Sequence, residues 1–435
     1  MGFSEEVVSG SALRDATSYL GPPDPVVGVH GAGGTSVGFD DAALGRHVLY
    51  IGGIGTGKTV GMTALVDSIR ASTSADDVLV FFDTKGDYWE RFGRDGDAVI
   101  ASGAPGRYPG EVTWNLFEEF RALPDGGQVD DEIYELCNGL FAGLIERAGD
   151  NAYFANAARD LFVALITAML RESAVRTNHD IRAVLGGMNI PEMQQLLDRP
   201  GNEDLRGARN YIAKEGSNSA AATIAFMQQV IQESFRSSFG RAGDFSIRRF
   251  VRAKAGHALF LEYDIAAGSM LAPVYKAMLD VAMKEAMSRT RAAGRIFFVL
   301  DEFALLPELT HLSNGLNFGR SLGLRFVVGT QNVGQVRQMY GEHLAASVLS
   351  AFGTVFAFRL YDGDSREFVR DRFGHNRKLT RFDSVVRSNG MREEVADGYV
   401  VEDWDLSSLP VGTCVAAIPD APPVRFTFRR VGGAA

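Results

Sequence analysis

At 435 residues the chain is too long for one ordinary domain, and 46% apolar against 23% charged residues excludes wholesale disorder. Its two cysteines, Cys137 and Cys414, exclude a disulfide scaffold and a cysteine-based metal site, and fit a reducing cytosol. A formal net charge of -10 argues against a uniformly basic nucleic-acid-binding protein, but does not describe the lining of a channel.

Residues 1–24 read as a loose leader ending at Pro22-Pro23, without the basic segment and apolar core of a signal peptide. Residues 26–48 are Gly-rich with short apolar pieces, which suggests hairpins. Residues 47–51 (HVLYI) then read as a buried strand, and residues 60–69 as a helix. Between them lies GGIGTGKT, which fits G-x-x-x-x-G-K-[ST] at every fixed position. Glycines in such a loop let backbone N–H groups converge on phosphate oxygens, and the helix start aims its positive end at the same anion. Gly52, Gly53, Ile54, Gly55, Thr56, Gly57, Lys58, Thr59 and Val60 are therefore the candidate nucleotide-binding residues. Lys58 is expected to reach the β/γ-phosphates of ATP, and the Thr59 hydroxyl to ligate Mg²⁺.

Residues 78–82 (VLVFF) form a second buried-strand pattern, ending at Asp83-Thr84-Lys85-Gly86-Asp87. From about 125 to 245 the apolar spacing becomes helical: Phe154, Ala158, Leu161, Leu165, Ala168 and Met169 share one face. This reads as an inserted all-helical domain. Its densest apolar run, 161–170, contains Thr167 and falls short of the roughly 20 residues of a membrane span. The expectation is a soluble chain that reaches a membrane only through a partner or a missing segment.

Short apolar runs return at 258–263, 296–300, 326–329 and 354–358, separated by helices, as buried parallel strands are. Residues 413–418 and 424–428 could add edge strands. The expected class is α/β with a mostly parallel sheet and an inserted all-α domain, divided as 1–24, 25–124, 125–245 and 246–430.

In RIFFVLDEF, residues 295–303, two carboxylates follow a buried strand at the end where open α/β sheets bind ligands. Asp301 is the candidate Mg²⁺ ligand and Glu302 the residue that polarises the attacking water. RFVVGTQN ends a further strand at Gln331, a candidate γ-phosphate sensor or water-orienting amide. Arg320, ahead of that strand, is placed to act as a finger delivered by a neighbouring subunit; Arg325 is the competing arginine.

Together these pieces resemble the coupling proteins of type IV secretion and conjugation, within the larger HerA/FtsK group of ring motors. FFDTKGDYWERF is similar to the family's strand followed by D-P-K-G-[DE], with Thr84 in place of Pro. TWNLFEEF resembles its W-N-x-F segment, LDEFALLPEL its D-E pair, and GRSLGLRFVVGTQN the segment carrying its sensor and trans finger. Arg46 matches a basic family position near the nucleotide.

The resemblance implies a RecA-like P-loop core and a homo-hexameric ring that moves DNA with ATP and Mg²⁺. It also implies a cytoplasmic helical insert that recognises the DNA-processing complex, with relaxase-type proteins and the secretion machinery as partners. Family members usually begin with spanning helices, and no such pattern is present here. The competing expectations are a related motor acting on protein substrates or DNA ends, and a nucleotide-dependent adaptor. Two basic clusters are candidate DNA contacts: Arg372, Arg377, Lys378, Arg381, Arg387 and Arg392 in an expected projecting hairpin, and Arg236, Arg241, Arg248, Arg249, Arg252 and Lys254.

Overall fold

The computed structural model describes residues 3–124, 127–173, 175–213, 217–265, 268–288, 294–383 and 391–429. They form two compact units, one from the described residues of 1–74, 294–304 and 313–435, the other from those of 75–293 and 305–312.

In the first unit the central strands are Thr354–Ala357, Val48–Ile51, Leu324–Thr330 and Ile296–Leu300, in that order and all parallel. Every residue in them is buried. Their runs of Val, Ile, Leu and Phe are what a strand covered on both faces requires. Thr413–Ala417 joins Thr354–Ala357 antiparallel, Val424–Thr427 pairs antiparallel beyond it, and Arg14–Asp15 adds a short parallel edge. Register decides what this sheet can do. Ile51 lies opposite Thr330, and Leu300 opposite Val328. The residues that follow, Gly52, Gln331 and Asp301, therefore leave the sheet at one edge.

The Gly-rich stretch ahead of the P-loop strand forms the expected hairpin, Val27–His30 with Ser36–Phe39. The residues read as a loose leader contain a strand instead. Phe3–Ser9 pairs antiparallel with His375–Asp383, which in turn pairs with Met391–Tyr399. FSEEVVS has neither a continuous apolar run nor a regular alternation, so periodicity does not mark it as a strand; it forms the edge of a small sheet.

In the second unit Val78–Asp83 and Ala98–Ala101 flank Ala258–Glu262, again parallel. Ala98–Ala101 was not expected: four residues between a Gly-rich turn and Ser102 are too few for periodicity to reveal. Among the described residues, every helix or strand between Leu116 and Ala253 is helical. The helices Val129–Arg147, Ala152–Glu172 and Asn218–Ser234 pack through rings such as Phe141 and Phe162, whose centroids lie 5.5 Å apart. One helix, residues 149–172, is long and apolar enough by composition to cross a membrane, a length that the 161–170 run underestimates. Ala158, Leu161, Phe162, Leu165 and Ile166 on it are buried in the fold.

The W-N-x-F segment explains itself as a clasp within this unit. Trp114 Nε1 donates to Glu119 at 2.8 Å. Glu119 also accepts from Ser246 Oγ and from the backbone N–H groups of Ile247 and Arg248, capping the helix Ile247–Ala253. Asn115 accepts from Phe117 N and donates to the carbonyls of Arg176 and Gly243, while Asn178 holds Trp114 O and Leu116 N. The stretch entering the helical region is thus bonded to the stretch leaving it.

Candidate nucleotide site

The P-loop leaves its strand with Gly52 N still bonded to Thr330 O, and Gly53 N donates to Arg359 O. Thr56 Oγ1 closes the loop on Gly53 O at 2.8 Å. Gly55 and Gly57 have φ values of 73° and 105°, a region costly for any residue with a Cβ. A Cβ on Gly57 would also lie 2.7 Å from Gly412 N, the group that donates to Thr56 O. The helix Lys58–Ser72 begins here with no side-chain cap. Its first N–H groups are left to face the loop, which is the arrangement that receives phosphate oxygens.

Three of the expected catalytic side chains meet. Lys58 Nζ lies 3.4 Å from Glu302 Oε2, and Gln331 Nε2 donates to the same oxygen at 2.8 Å. Lys58 and Glu302 are 9% and 12% exposed, so the pair is poorly screened. Glu302 Oε1 is buried without a partner among the described residues, and an unpaired carboxylate oxygen in such a site calls for a donor. Asp301 is buried at the strand end beside it, and Thr59, half-exposed, stands in the first turn of the helix. The set suits a triphosphate with its metal: an uncapped helix end, a lysine within reach, two carboxylates and an amide. Ile54 and Val60 are exposed on the rim of the loop.

Arg46 and Arg320 are not part of this constellation. Arg320 lies in the turn Gly319–Leu322 ahead of Leu324–Thr330, whereas Gln331 follows that strand. Seven strand residues at about 3.3 Å each separate the two by roughly 20 Å. Arg46 precedes Val48–Ile51, at the same far edge of the sheet, where its carbonyl accepts from Gly353 N and its guanidinium sits 3.4 Å from Asp420. Neither can touch a phosphate held by its own P-loop. Arg325 is occupied internally, 2.8 Å from Asp41 and donating to Arg320 O. Asp41, Asn317, Phe318, Arg320 and Arg325 line a cavity of about 580 Å³ at this edge, with Phe318 70% exposed. Sequence reasoning missed the contributions of Arg359 and Gly412, which brace the P-loop through backbone groups alone.

The basic clusters are mostly neutralised. Arg377 pairs with Asp397 at 3.3 Å, Lys378 with Glu402 at 2.6 Å, and Arg381 with Glu393 and Glu6 at 2.9 and 3.1 Å. Arg372 donates to the carbonyls of Phe352 and Gly353. Arg387 lies outside the described residues, and Arg392 pairs its backbone with Phe382. The hairpin exists, and Arg377, Lys378 and Arg381 each stand beside a neighbouring acid, so the face they form carries both signs of charge. In the second cluster Arg248 is buried between Glu132 and Glu285, Arg252 pairs with Glu285, Arg249 with Glu118, and Lys254 is buried.

The family described as the type IV secretion-system coupling protein DNA-binding domain matches residues 35–396. The coupling protein TraD of Escherichia coli (strain K12) is 22% identical over 394 residues, which is 87% of this chain and 52% of TraD. The conjugal transfer protein TraG of Rhizobium radiobacter is 31% identical over 100 residues, 23% of this chain and 15% of TraG. The chain thus spans about half the length of TraD and less of TraG. Among solved structures, the plasmid coupling protein TrwB in complex with ADP and Mg²⁺ superposes with a TM-score of 0.67 at 20% identity, covering 100% of this chain and 97% of TrwB. VirB4 of Thermoanaerobacter pseudethanolicus superposes at 0.56 with 12% identity, covering 95% of this chain and 99% of VirB4. These likenesses place the fold in the RecA-like P-loop class. With the match over residues 35–396, and the P-loop strand and the D-E strand flanking Leu324–Thr330 in one parallel sheet, the chain belongs to the family of type IV secretion-system coupling proteins.

Proposed function

We propose that this chain hydrolyses ATP, with Mg²⁺, to drive delivery of DNA or nucleoprotein into a type IV secretion or conjugation system. The observation that carries the reading is the convergence of Lys58 and Gln331 on one oxygen of Glu302, beside a P-loop whose helix end is uncapped. ATP supplies the transferable phosphoryl group, and Mg²⁺ neutralises charge developing on it. The residues divide the remaining work. The backbone of residues 52–60 cradles phosphates, and Lys58 exchanges its weak contact with Glu302 for the β/γ-phosphates. Thr59 and Asp301 would hold the metal. Glu302, released from Lys58, accepts a proton from the attacking water, and Gln331 orients that water.

Arg46 and Arg320, a strand's length away from their own P-loop, serve the site of the adjacent copy in a homo-hexamer. Residues 125–245 form an inserted helical domain between the two parts of the motor, 25–124 and 246–430, and receive relaxase-type substrates at the cytoplasmic face of the membrane. Membership in the coupling-protein family supports DNA as the cargo. The test is ATP turnover by the parent, Lys58→Ala and Glu302→Gln proteins. The reading expects Lys58→Ala to lose nucleotide binding and hydrolysis, and Glu302→Gln to bind ATP but not turn it over. Parent-rate hydrolysis by either variant would refute the assignment.

A further inference from the structure

The helical region holds a second built cavity, of about 670 Å³, with a polar lining. Gln228, Ile231 and Gln232 present one face of the helix Asn218–Ser234 to it. Arg236, Ser237 and, on the helix Asn178–Ala183, Arg182 also line it. Among the described residues, no acidic side chain lines it. Arg236 directs one guanidinium nitrogen at the Met270 sulfur rather than at a carboxylate. The aliphatic stem of Arg182 runs close to Gly240, where a side chain would lie 3.2 Å from Arg182 Cδ.

Both arginines are held on ordered structure. The Arg182 helix carries a Thr177–Asp180 capping box, and Asn178 ties it to Trp114 and Leu116. The turn at Ser237 is held in the left-handed region, at φ 51°, by the bond from Phe239 N to Arg236 O and by Ser238 Oγ donating to Ala101 O. A strained non-glycine residue persists only where its surroundings over-determine it. In a chain of net charge -10, whose other arginines in this region are largely paired, two guanidinium groups facing one cavity without an acid form a site for an external anion.

We infer that this cavity binds an acidic peptide segment of a protein partner, with Arg182 and Arg236 each taking a carboxylate and Gln228 and Gln232 pairing with the peptide backbone. Two features favour peptide over nucleic acid. Among the described residues, no aromatic side chain lines the cavity for a base to stack on, and the cations are two isolated forks rather than a row following a phosphodiester backbone. The inference gives a chemistry to the substrate reading above and rests on it only for what the bound segment is for. Binding itself needs no nucleotide.

The experiment is fluorescence anisotropy of the full chain, without nucleotide, with three probes: a labelled peptide of alternating glutamate and serine, its lysine counterpart, and a labelled oligothymidylate. The glutamate peptide should bind, weaken with salt, and lose about tenfold or more in affinity in Arg182→Gln/Arg236→Gln, since the double variant removes both charge-assisted contacts. Arg182→Lys/Arg236→Lys, which keeps the charge but not the fork, should fall between the two. Arg182→Glu/Arg236→Glu should instead bind the lysine peptide. Thermal midpoints equal to the parent's identify folded variants, and the Lys pair gives the reading if a Gln or Glu pair misfolds. No binding of the glutamate peptide, or binding that does not depend on the two arginines, overturns the inference. Arginine-dependent binding of oligothymidylate alone would make the cavity a nucleic-acid site and overturn it equally. Failure here with intact ATP turnover would leave the motor reading standing.

Discussion

At the scale of single residues, the proposed mechanism turns on Glu302. One of its oxygens is shared by Lys58 and Gln331, and the other is buried and unpaired among the described residues. Glu302→Gln keeps the shape but removes the base, so turnover should fall on the order of a hundredfold or more, while ATP affinity is retained. Rapid-quench hydrolysis alongside equilibrium nucleotide binding separates the two effects. His47 gives a prediction about pH. Its Nε2 lies 3.0 Å from Leu316 O and its Nδ1 accepts from Phe326 N, which fixes a neutral imidazole. Burial pushes its pKa down to about 4, helped by the charges of Arg325 and Arg320. The unfolded imidazole, near 6.5, takes up a proton that the folded one refuses. Stability is therefore complete above pH 6.5 and declines as pH falls towards 4, by up to about 3 kcal/mol. His47→Gln should cost stability at pH 7 yet flatten the decline between pH 6.5 and 4.5 in denaturant titrations. An equally steep decline in the variant would mean that other groups cause it.

The same contrast between local chemistry and long-range contacts appears among the elements. The P-loop strand and helix, the D-E strand and the Gln331 strand were legible because each is a long buried run ending in a fixed motif, so periodicity and spacing suffice. The strand Ala98–Ala101 was not, being four residues long; nor was Phe3–Ser9, whose strand character depends on a partner some 370 residues away in sequence. Partners also decided the basic clusters. Arg377, Lys378 and Arg381 look like a DNA-binding set until Asp397, Glu402, Glu393 and Glu6 are brought beside them. No spacing rule reveals that pairing. Arg46 and Arg320 could be recognised by motif, but only strand direction shows that they lie at the edge opposite the P-loop. The W-N-x-F clasp supports a prediction at this scale. Glu119 accepts from Trp114, Ser246, Ile247 and Arg248 while fully buried. Glu119→Ala should destabilise by about 3–5 kcal/mol, since it strands those buried donors. Hydrogen exchange should quicken first in the helix Ile247–Ala253. Unchanged protection there would show that the cap does not hold that helix.

At the scale of the whole molecule, the proposed mechanism draws on two copies: Lys58, Glu302 and Gln331 stand at the P-loop edge of the sheet, and Arg46 and Arg320 at its other edge. Arg320→Ala should then bind ATP normally but lose turnover on the order of a thousandfold. Mixing it with Glu302→Gln should restore part of the rate, because a mixed ring can pair an intact Glu302 with an intact Arg320. A mixture no faster than its components, with mixed assemblies present by native mass spectrometry, would contradict action in trans. The most direct test of the central claim is ATP turnover by the parent protein with and without DNA, at equal oligomeric state. A coupling motor predicts hydrolysis that depends on Lys58 and Glu302 and rises severalfold when DNA is added. Hydrolysis absent under both conditions, or indifferent to DNA, would contradict it.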